Sequence, residues 1–280
     1  MKPQHFLIIG GTGKTGRKIV ERLETLGHKV RIGSRSAEIP FDWHQPEGWA
    51  NALEDIDKVY ITYQPDLAVP GALEAIEELT KQAKKANIKK LVLLSGKGER
   101  EAQLCEQVVI HSGIAHTIVR ASWFNQNFSE NFLTSPILER FVALPQADVK
   151  IPFVDTNDIA DVAIEALLYA KHDGAIYQLT GPRLLTFKQA IGEIADVIED
   201  EIQFEPVSIK AYSDAMRAES IPEDFIWLIE YLFTEVLGNP ENAVVTSDIE
   251  TVLGRPPIDF STYVKTTAQT GIWNAKVNAV

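Results

Sequence analysis

The stretch that most constrains this chain runs from Phe6 to Gly16: Phe-Leu-Ile-Ile-Gly-Gly-Thr-Gly-Lys-Thr-Gly. Phe6 to Ile9 is apolar without alternation, the pattern of a parallel strand buried on both faces. Gly10, Gly13 and Gly16 follow at a fixed spacing, and Gly11 opens a second frame with Gly13 and Gly16. The period then changes to helical, with Ile19, Val20, Leu23 and Leu26 on one face and Gly27 at the C-cap position. Strand, glycine turn and helix in this order make a dinucleotide cradle. The first glycine permits the tight turn, the second lets backbone approach a pyrophosphate, and the third lets helix and strand pack closely. The helix N-terminus then offers free N–H groups to the phosphates. Gly10, Thr12, Gly13, Lys14, Thr15 and Gly16 are therefore candidate cofactor-binding residues. Gly13-Lys14-Thr15 also resembles the end of a nucleotide triphosphate loop, but that motif needs a glycine where this chain has Ile8.

Further along, strands and helices alternate. Lys29 to Ile32 reads as the second strand and ends in Gly33-Ser34-Arg35-Ser36. An NAD site places a carboxylate near this point to hold the ribose 2′-hydroxyl. Here Ser34 and Arg35 offer a hydroxyl and a guanidinium to a 2′-phosphate instead, and Lys14 can add charge, so the expected cofactor is NADP (NADPH) in preference to NAD. Phe41 to Trp43 reads as a short edge segment, with Asp42 near the adenine or capping a turn. The third strand, Lys58 to Thr62, ends at Thr62 and Tyr63, and a helix covers Pro70 to Ala86. The fourth strand, Lys90 to Leu94, ends at Ser95 and Gly96. Thr62, Tyr63, Ser95 and Gly96 leave strands at the carboxyl edge, where open α/β sheets bind ligands, and join the candidate cofactor set. Arg100 to His111 is the next helix and Ala115 to Arg120 the fifth strand. This alternation predicts an α/β fold: a Rossmann doubly wound parallel sheet.

The carboxyl half predicts a smaller α/β substrate-side domain, with an approximate, interleaved division into 1–180 and 181–280. Ile151 to Val154, Ala175 to Leu179 and Ile202 to Pro206 read as strands. Asp155, Asp158 and Asp161 open a helix, where a favourable dipole explains them better than a metal, since no His or Cys joins them. Thr186 to Gln189 reads as a capping box. A helix from Pro222 is apolar on most sides, which suits a buried helix, a pocket wall or a dimer surface. The six histidines do not cluster, and no metal is expected.

At 280 residues the chain suffices for one large domain or two intimate ones. Its net charge of -12 argues against nucleic acid or an anionic membrane as partner. The single cysteine, Cys105, lies in a helical pattern, where packing is its expected role, and excludes an internal disulfide framework. The first residues run straight into a strand, with no leader pattern and no apolar run of membrane length. The expectation is a cytoplasmic monomer or homodimer acting on a small-molecule substrate.

Several stretches together resemble the atypical short-chain dehydrogenase/reductases of the NmrA-like NAD(P)-binding family. They are Gly10 to Gly16, Gly33-Ser-Arg35, Leu93-Leu-Ser-Gly96, His111 to Arg120 and Trp123-Phe-x-x-Asn-Phe128. Leu253-Gly-Arg-Pro-Pro-x-x-Phe260 and Gly271-Ile-Trp273 are similar to the festuclavine and agroclavine dehydrogenase-like branch. Two departures stand out. Familiar short-chain dehydrogenases use Tyr-x-x-x-Lys, in which the lysine lowers the tyrosine pKa. Tyr60, Tyr63, Tyr169, Tyr177, Tyr212, Tyr231 and Tyr263 all lack a lysine four residues on, and Ala121 replaces the usual proline after Arg120. The resemblance implies hydride transfer to a small electron-poor acceptor (an iminium, a quinone or an activated alkene), which needs little acid help. It leaves as alternative a redox sensor that binds NADP(H) without catalysis and acts through a protein partner. Tyr63, Trp123, Phe124 and Asn127 are the candidate substrate-pocket residues, and the catalytic residue is unknown.

Arg35 generates the first test. A hydrogen bond from a charged group contributes roughly 1.5–3 kcal/mol, so Arg35→Ala should weaken NADPH binding about tenfold to a hundredfold. NADH binding should hardly change. Paired titrations of both cofactors check this, and equal loss of both would remove Arg35 as a phosphate clamp.

Overall fold

The computed structural model describes residues 3–274. The chain forms two compact units, each assembled from three segments. The first comprises Met1–Ala121, Thr156–Leu179 and Asp248–Arg255, and the second Ser122–Asp155, Thr180–Ser247 and Pro256–Val280.

The first unit is a doubly wound parallel sheet of six strands: β1 (His5–Ile9), β2 (Lys29–Gly33), β3 (Lys58–Ile61), β4 (Lys90–Gly96), β5 (Ala115–Ala121) and the later Ile176–Leu179. Their spatial order is β2-β1-β3-β4-β5 and then Ile176–Leu179, all parallel. The direction of winding reverses between β1 and β3, which places the ligand crevice of such a sheet outside their carboxyl ends. Phe6, Leu7, Ile8 and Ile9 are all buried, because both faces of the strand are covered. Leu7 and Ile9 point to the side packed by α2 (Trp49–Leu53), α3 (Ala72–Lys85) and α4 (Arg100–Ile110). Cys105 of α4 is buried in that cluster. The opposite side holds α1 (Gly16–Thr25), with Ile19 and Leu23 buried.

Phe41 to Trp43 forms no strand. Phe41 stacks on Trp49 at 5.3 Å and Trp43 meets both rings edge-on, so aromatic packing competes successfully with sheet pairing here. Asp42 accepts the backbone N–H of His44 at 3.0 Å, so it caps a turn.

In the second unit α5 (Thr134–Leu138) leads into β6 (Phe141–Leu144); α6 (Thr156–Leu168) and β7 (Ile176–Leu179, the sixth strand of the first sheet) follow as parts of the first unit, and β8 (Gln203–Pro206) is the other described strand of the second. β6 and β8 pair in parallel as a separate two-stranded sheet. The expected strand at Ile151 to Val154 is absent. Ile151 makes one antiparallel bridge to Leu185 and Val154 one parallel bridge to Phe124, and Pro152 between them has no N–H for a ladder. The capping box is present: Thr186 Oγ1 accepts from Gln189 N at 3.1 Å, and Gln189 Oε1 accepts from Thr186 N at 2.9 Å. It opens α7 (Phe187–Ile198). Phe128, Phe153, Phe187, Phe233 and Phe260 interlock as the core, with ring centroids mostly 5–6 Å apart. After α8 (Ile209–Ala218), the helix expected from Pro222 appears as α9 (Glu223–Tyr231), continued by one π-helical stretch to Leu237. It buries one side, with Ile226, Leu228 and Ile229 inside while Trp227 is 43% exposed. The chain ends in α10 (Asp248–Leu253, in the first unit) and α11 (Phe260–Ala268).

The aspartates that open α6 serve ion pairs. Arg255 donates to Asp158 at 2.6 Å and to Asp161 at 2.7 Å, and Arg22 donates to Asp161 at 2.6 Å. Asp158 is completely buried, and a buried carboxylate stripped of its cation is strongly destabilising. Arg255 is itself 39% exposed, so water replaces part of what its loss removes. Arg255→Met should therefore cost about 3 kcal/mol, the low end for breaking a buried pair, by urea unfolding. Adding Asp158→Asn should recover much of that loss, and a cost near zero for the single variant would refute the pairing argument.

Candidate functional site

The cradle begins where β1 ends. Gly10 adopts φ +73°, a left-handed conformation natural to glycine, and its N–H donates to Gly33 O at 2.8 Å. A side chain at Gly10 would overlap Thr62 Oγ1, and one at Gly16 would overlap the Gly10 carbonyl. Those two glycines are needed by the protein's own packing. Gly13 differs: an added Cβ would lie 3.2 Å from Gly10 O, with the Gln64 amide nitrogen next at 3.9 Å. That contact is tight but is not the overlap found at Gly10 and Gly16, so Gly13 is the least crowded of the three on the side a pyrophosphate would approach. No side chain caps α1 and its first turn carries no acidic residue, which leaves its N-terminus suited to an anion. These features fit a dinucleotide.

The other expected residues divide by what their side chains do. Thr12 is exposed and Lys14 half-buried. Thr15 is turned inward, where its hydroxyl accepts from buried Tyr60 at 2.9 Å. Ser34 is half-buried at the end of β2, and Arg35 is exposed. Thr62 donates to Ile9 O at 3.1 Å and so braces the turn. Tyr63 packs its ring on Trp43 at 4.7 Å, and burial pushes its phenol pKa up. Ser95 is 4% exposed, and its hydroxyl donates to Glu106 Oε1 at 2.6 Å. Glu106 is fully buried and also takes a bidentate fork from Arg120. Ser95 therefore commits its hydroxyl within the protein. At Gly96 a side chain would overlap the carboxyl group of Glu99, so this glycine makes room for a neighbour.

Trp123, Phe124 and Asn127 belong to the second unit, and Tyr63 to the first. Trp123 is half-buried among the edges of Phe132, Phe187 and Phe233, with the nearest centroid at 5.3 Å. Phe124 and Asn127 are half-buried around the turn Asn125–Phe128. Asn125 and Gln126 between them are buried, with Gln126 donating to Asp155 at 3.0 Å.

Two residues escaped the sequence reading. Asp66 stands in the connection after β3, and Glu99 in the connection after β4. Their carboxyl groups hydrogen-bond each other, and Asp66 Oδ1 accepts the Ala68 N–H at 2.8 Å. Burial raises the pKa of both, and Glu99 lies well above the ordinary carboxylate range. An isolated loop aspartate and a glutamate before a helix carry no sequence pattern that would pair them. Lys97, also buried, has its amine pKa lowered by desolvation. Among the described residues no group of His, Cys, Asp and Glu could hold a metal ion, and no helix is long and apolar enough to cross a membrane.

Comparison with known proteins agrees with this geometry. The model of a family described as NAD(P)H-binding matches residues 10–169. Prestalk A differentiation protein A of Dictyostelium discoideum is 26% identical over 279 residues, covering 94% of this chain and 92% of that protein. Agroclavine dehydrogenase of Claviceps fusiformis is 27% identical over 282 residues, covering 92% and 96%. The fold also resembles that of Citrobacter sp. triphenylmethane reductase complexed with NADP(H), with a TM-score of 0.75, 17% identity, and coverage of 94% and 99%.

The glycine geometry separates binding from folding. Gly13→Val should leave a folded protein that no longer binds cofactor, because its Cβ meets one tight contact with Gly10 O rather than an overlap while the rest of the side chain occupies the place of the pyrophosphate. Gly16→Val should instead destabilise the fold, because its side chain meets the Gly10 backbone. Calorimetric titration with NADPH and thermal unfolding of both variants check this. Unchanged NADPH affinity in Gly13→Val would contradict the site.

Proposed function

The chain belongs to the NAD(P)H-binding family, and we propose that it is a reductase transferring hydride to a small electron-poor acceptor: an iminium, a quinone or an activated alkene. The observation that carries this reading is the glycine cradle at the β1/β3 reversal, least crowded at Gly13 and followed by a helix end with no acid of its own. Gly10, Gly13 and Gly16 would seat the pyrophosphate at the start of α1. NADPH rather than NADH is the proposed donor, supported by Ser34 and Arg35 at the end of β2 and by the lack of a carboxylate there. When bound, a reduced nicotinamide supplies a hydride, two electrons with one proton. The protein's own share is to bind, orient and exclude water.

The tyrosines support an acceptor that needs no phenolic acid. Tyr60 is fully buried with its hydroxyl committed to Thr15, and Tyr263 is buried against Ser129. Burial holds both phenols above their ordinary range. An iminium carries its own charge and a quinone anion is stable, so neither demands a tyrosine. The relation to a dehydrogenase over nearly the whole chain supports redox chemistry. The relation to a differentiation protein favours a second reading, a sensor that binds NADP(H) and acts through a protein partner.

The test is NADPH oxidation against a panel of quinones, iminium salts and activated alkenes, repeated with each tyrosine changed to phenylalanine. Turnover by wild type is expected, and no single tyrosine variant should fall to background. One tyrosine whose loss costs several orders of magnitude in kcat with affinity intact would sink the mechanism. Equal affinity for oxidised and reduced cofactor without turnover would establish the sensor.

A further inference from the structure

The geometry points to the Asp66–Glu99 carboxyl pair as the proton donor of the reduction, and so to an acceptor that gains negative charge when hydride arrives: a quinone or an activated alkene rather than an iminium. This rests on the reductase reading above.

Position is the first argument. β3 and β4 are adjacent and parallel, with Ile61 beside Leu93. Asp66 and Glu99 stand in the connections that leave their carboxyl ends, on the edge that holds the Gly10 turn and Thr62. That edge is where an open α/β sheet meets its ligand. The second argument is an orphaned atom. Glu99 is only 7% exposed, and among the described residues its Oε2 has no hydrogen-bond partner. A buried carboxyl oxygen without a partner is costly and calls for an explanation, of which a catalytic role is one. Gly96 leaves the space that this carboxyl occupies, since any side chain there would overlap it.

Charge gives the third argument. Two carboxyl groups sharing a hydrogen bond cannot both be ionised without strong repulsion. Asp66 accepts the Ala68 N–H as well as the Glu99 hydrogen bond, so the negative charge rests on Asp66 and the proton on Glu99. After burial, the groups that push Glu99 upward are all acidic: Asp66 across the pair, and Glu101 and Glu106 from α4. Glu106 is already matched by Arg120. Other protons nearby are held elsewhere. Ser95 donates to Glu106 and Tyr60 to Thr15, while burial pushes the Cys105 thiol up to about 12. Tyr63 and Glu74 are further titratable groups near Cys105, and the buried Lys97, two residues before Glu99, has its amine pKa lowered by desolvation.

The step balances. A quinone or activated alkene that accepts hydride becomes an anion. The Glu99 O–H bond breaks as a new bond to that proton forms on the acceptor, leaving the reduced neutral product and a Glu99 carboxylate. Asp66, which is half-buried, passes a proton from water to restore the pair. An iminium becomes a neutral amine on accepting hydride and takes no proton.

The experiment uses Glu99→Gln, which keeps the side chain's shape, and Asp66→Asn, which keeps its partner but removes the charge. In protein without cofactor at pH 7, infrared difference spectroscopy should show the carbonyl stretch of a neutral carboxylic acid in wild type and not in Glu99→Gln. With NADPH and menadione, kcat of wild type should fall as pH rises through the raised Glu99 pKa, because the acid must be protonated. Glu99→Gln should lose about a hundredfold in kcat, the low end for a general acid. That variant should lose the alkaline limb and keep its NADPH affinity. Asp66→Asn should move the limb to lower pH, and turnover of a pyrrolinium salt should hardly change in either variant. No neutral carboxyl at pH 7, or a Glu99→Gln enzyme with the wild-type rate and pH profile on menadione, would overturn the proposal. A wild type that binds NADPH yet turns over no acceptor would overturn the reductase reading itself, and with it the delivery step.

Discussion

The first unit depends on the backbone of Gly10. Its left-handed conformation turns the chain from β1 toward α1, its N–H is held by Gly33 at the end of β2, and its carbonyl accepts Gly13 N–H. The same carbonyl lies where a side chain at Gly16 would be, and Thr62 beyond β3 occupies the place of a side chain at Gly10. Three strands and one helix therefore converge on a residue with no side chain. Close approach of backbone to backbone is what only glycine permits. It also brings α1's N-terminus, which no side chain caps, to the sheet edge beside Gly13.

Buried charge is handled in two ways. Glu106 receives a fork from Arg120 and the Ser95 hydroxyl, and Asp158 receives Arg255. Both are carboxylates matched by a guanidinium, the condition under which a buried charge survives. Burial and the neighbouring acids push the Glu99 pKa well up, and in the reading proposed above a proton removes its charge. The cost of leaving such a group in a protein is ordinarily avoided by replacing it with an apolar residue. That Glu99 sits beside the ligand edge, with one oxygen unpartnered, is what distinguishes it from the structural pairs.

The second unit combines aromatic packing with pairs of this kind. Its phenylalanines meet edge to face, tilted or stacked, and Trp273 donates its indole N–H to Phe128 O at 2.8 Å, so even the polar atom of a buried ring is satisfied. Arg183 joins Glu193 and Asp259 and holds Asp259 far below the usual carboxylate range. Trp123 is one of the rings of this aromatic packing, which gives it a structural duty whatever it contacts in a ligand.

Local pattern carried much of this molecule. Apolar runs, glycine spacing and helical periodicity are short-range properties, and they were enough to read the Gly10 turn, the first five strands, the family resemblance and the Thr186 capping box from residues alone. The reading failed where a neighbour distant in sequence decides the outcome. Ile151 to Val154 has the composition of a strand, yet Pro152 and its partners leave it only two bridges, while β6 exists because β8 lies beside it. Ser95 looked available until Glu106, eleven residues on, took its hydroxyl. Asp66 and Glu99 are thirty-three residues apart and share no motif, because a hydrogen bond across two loops depends on strand order and not on spacing. The amino-acid sequence by itself determined the sheet, the glycine cradle and the class of ligand it suits. Only the tertiary structure decided which polar groups face inward and which carboxyl keeps its proton, since burial and partners exist only once the strands are side by side.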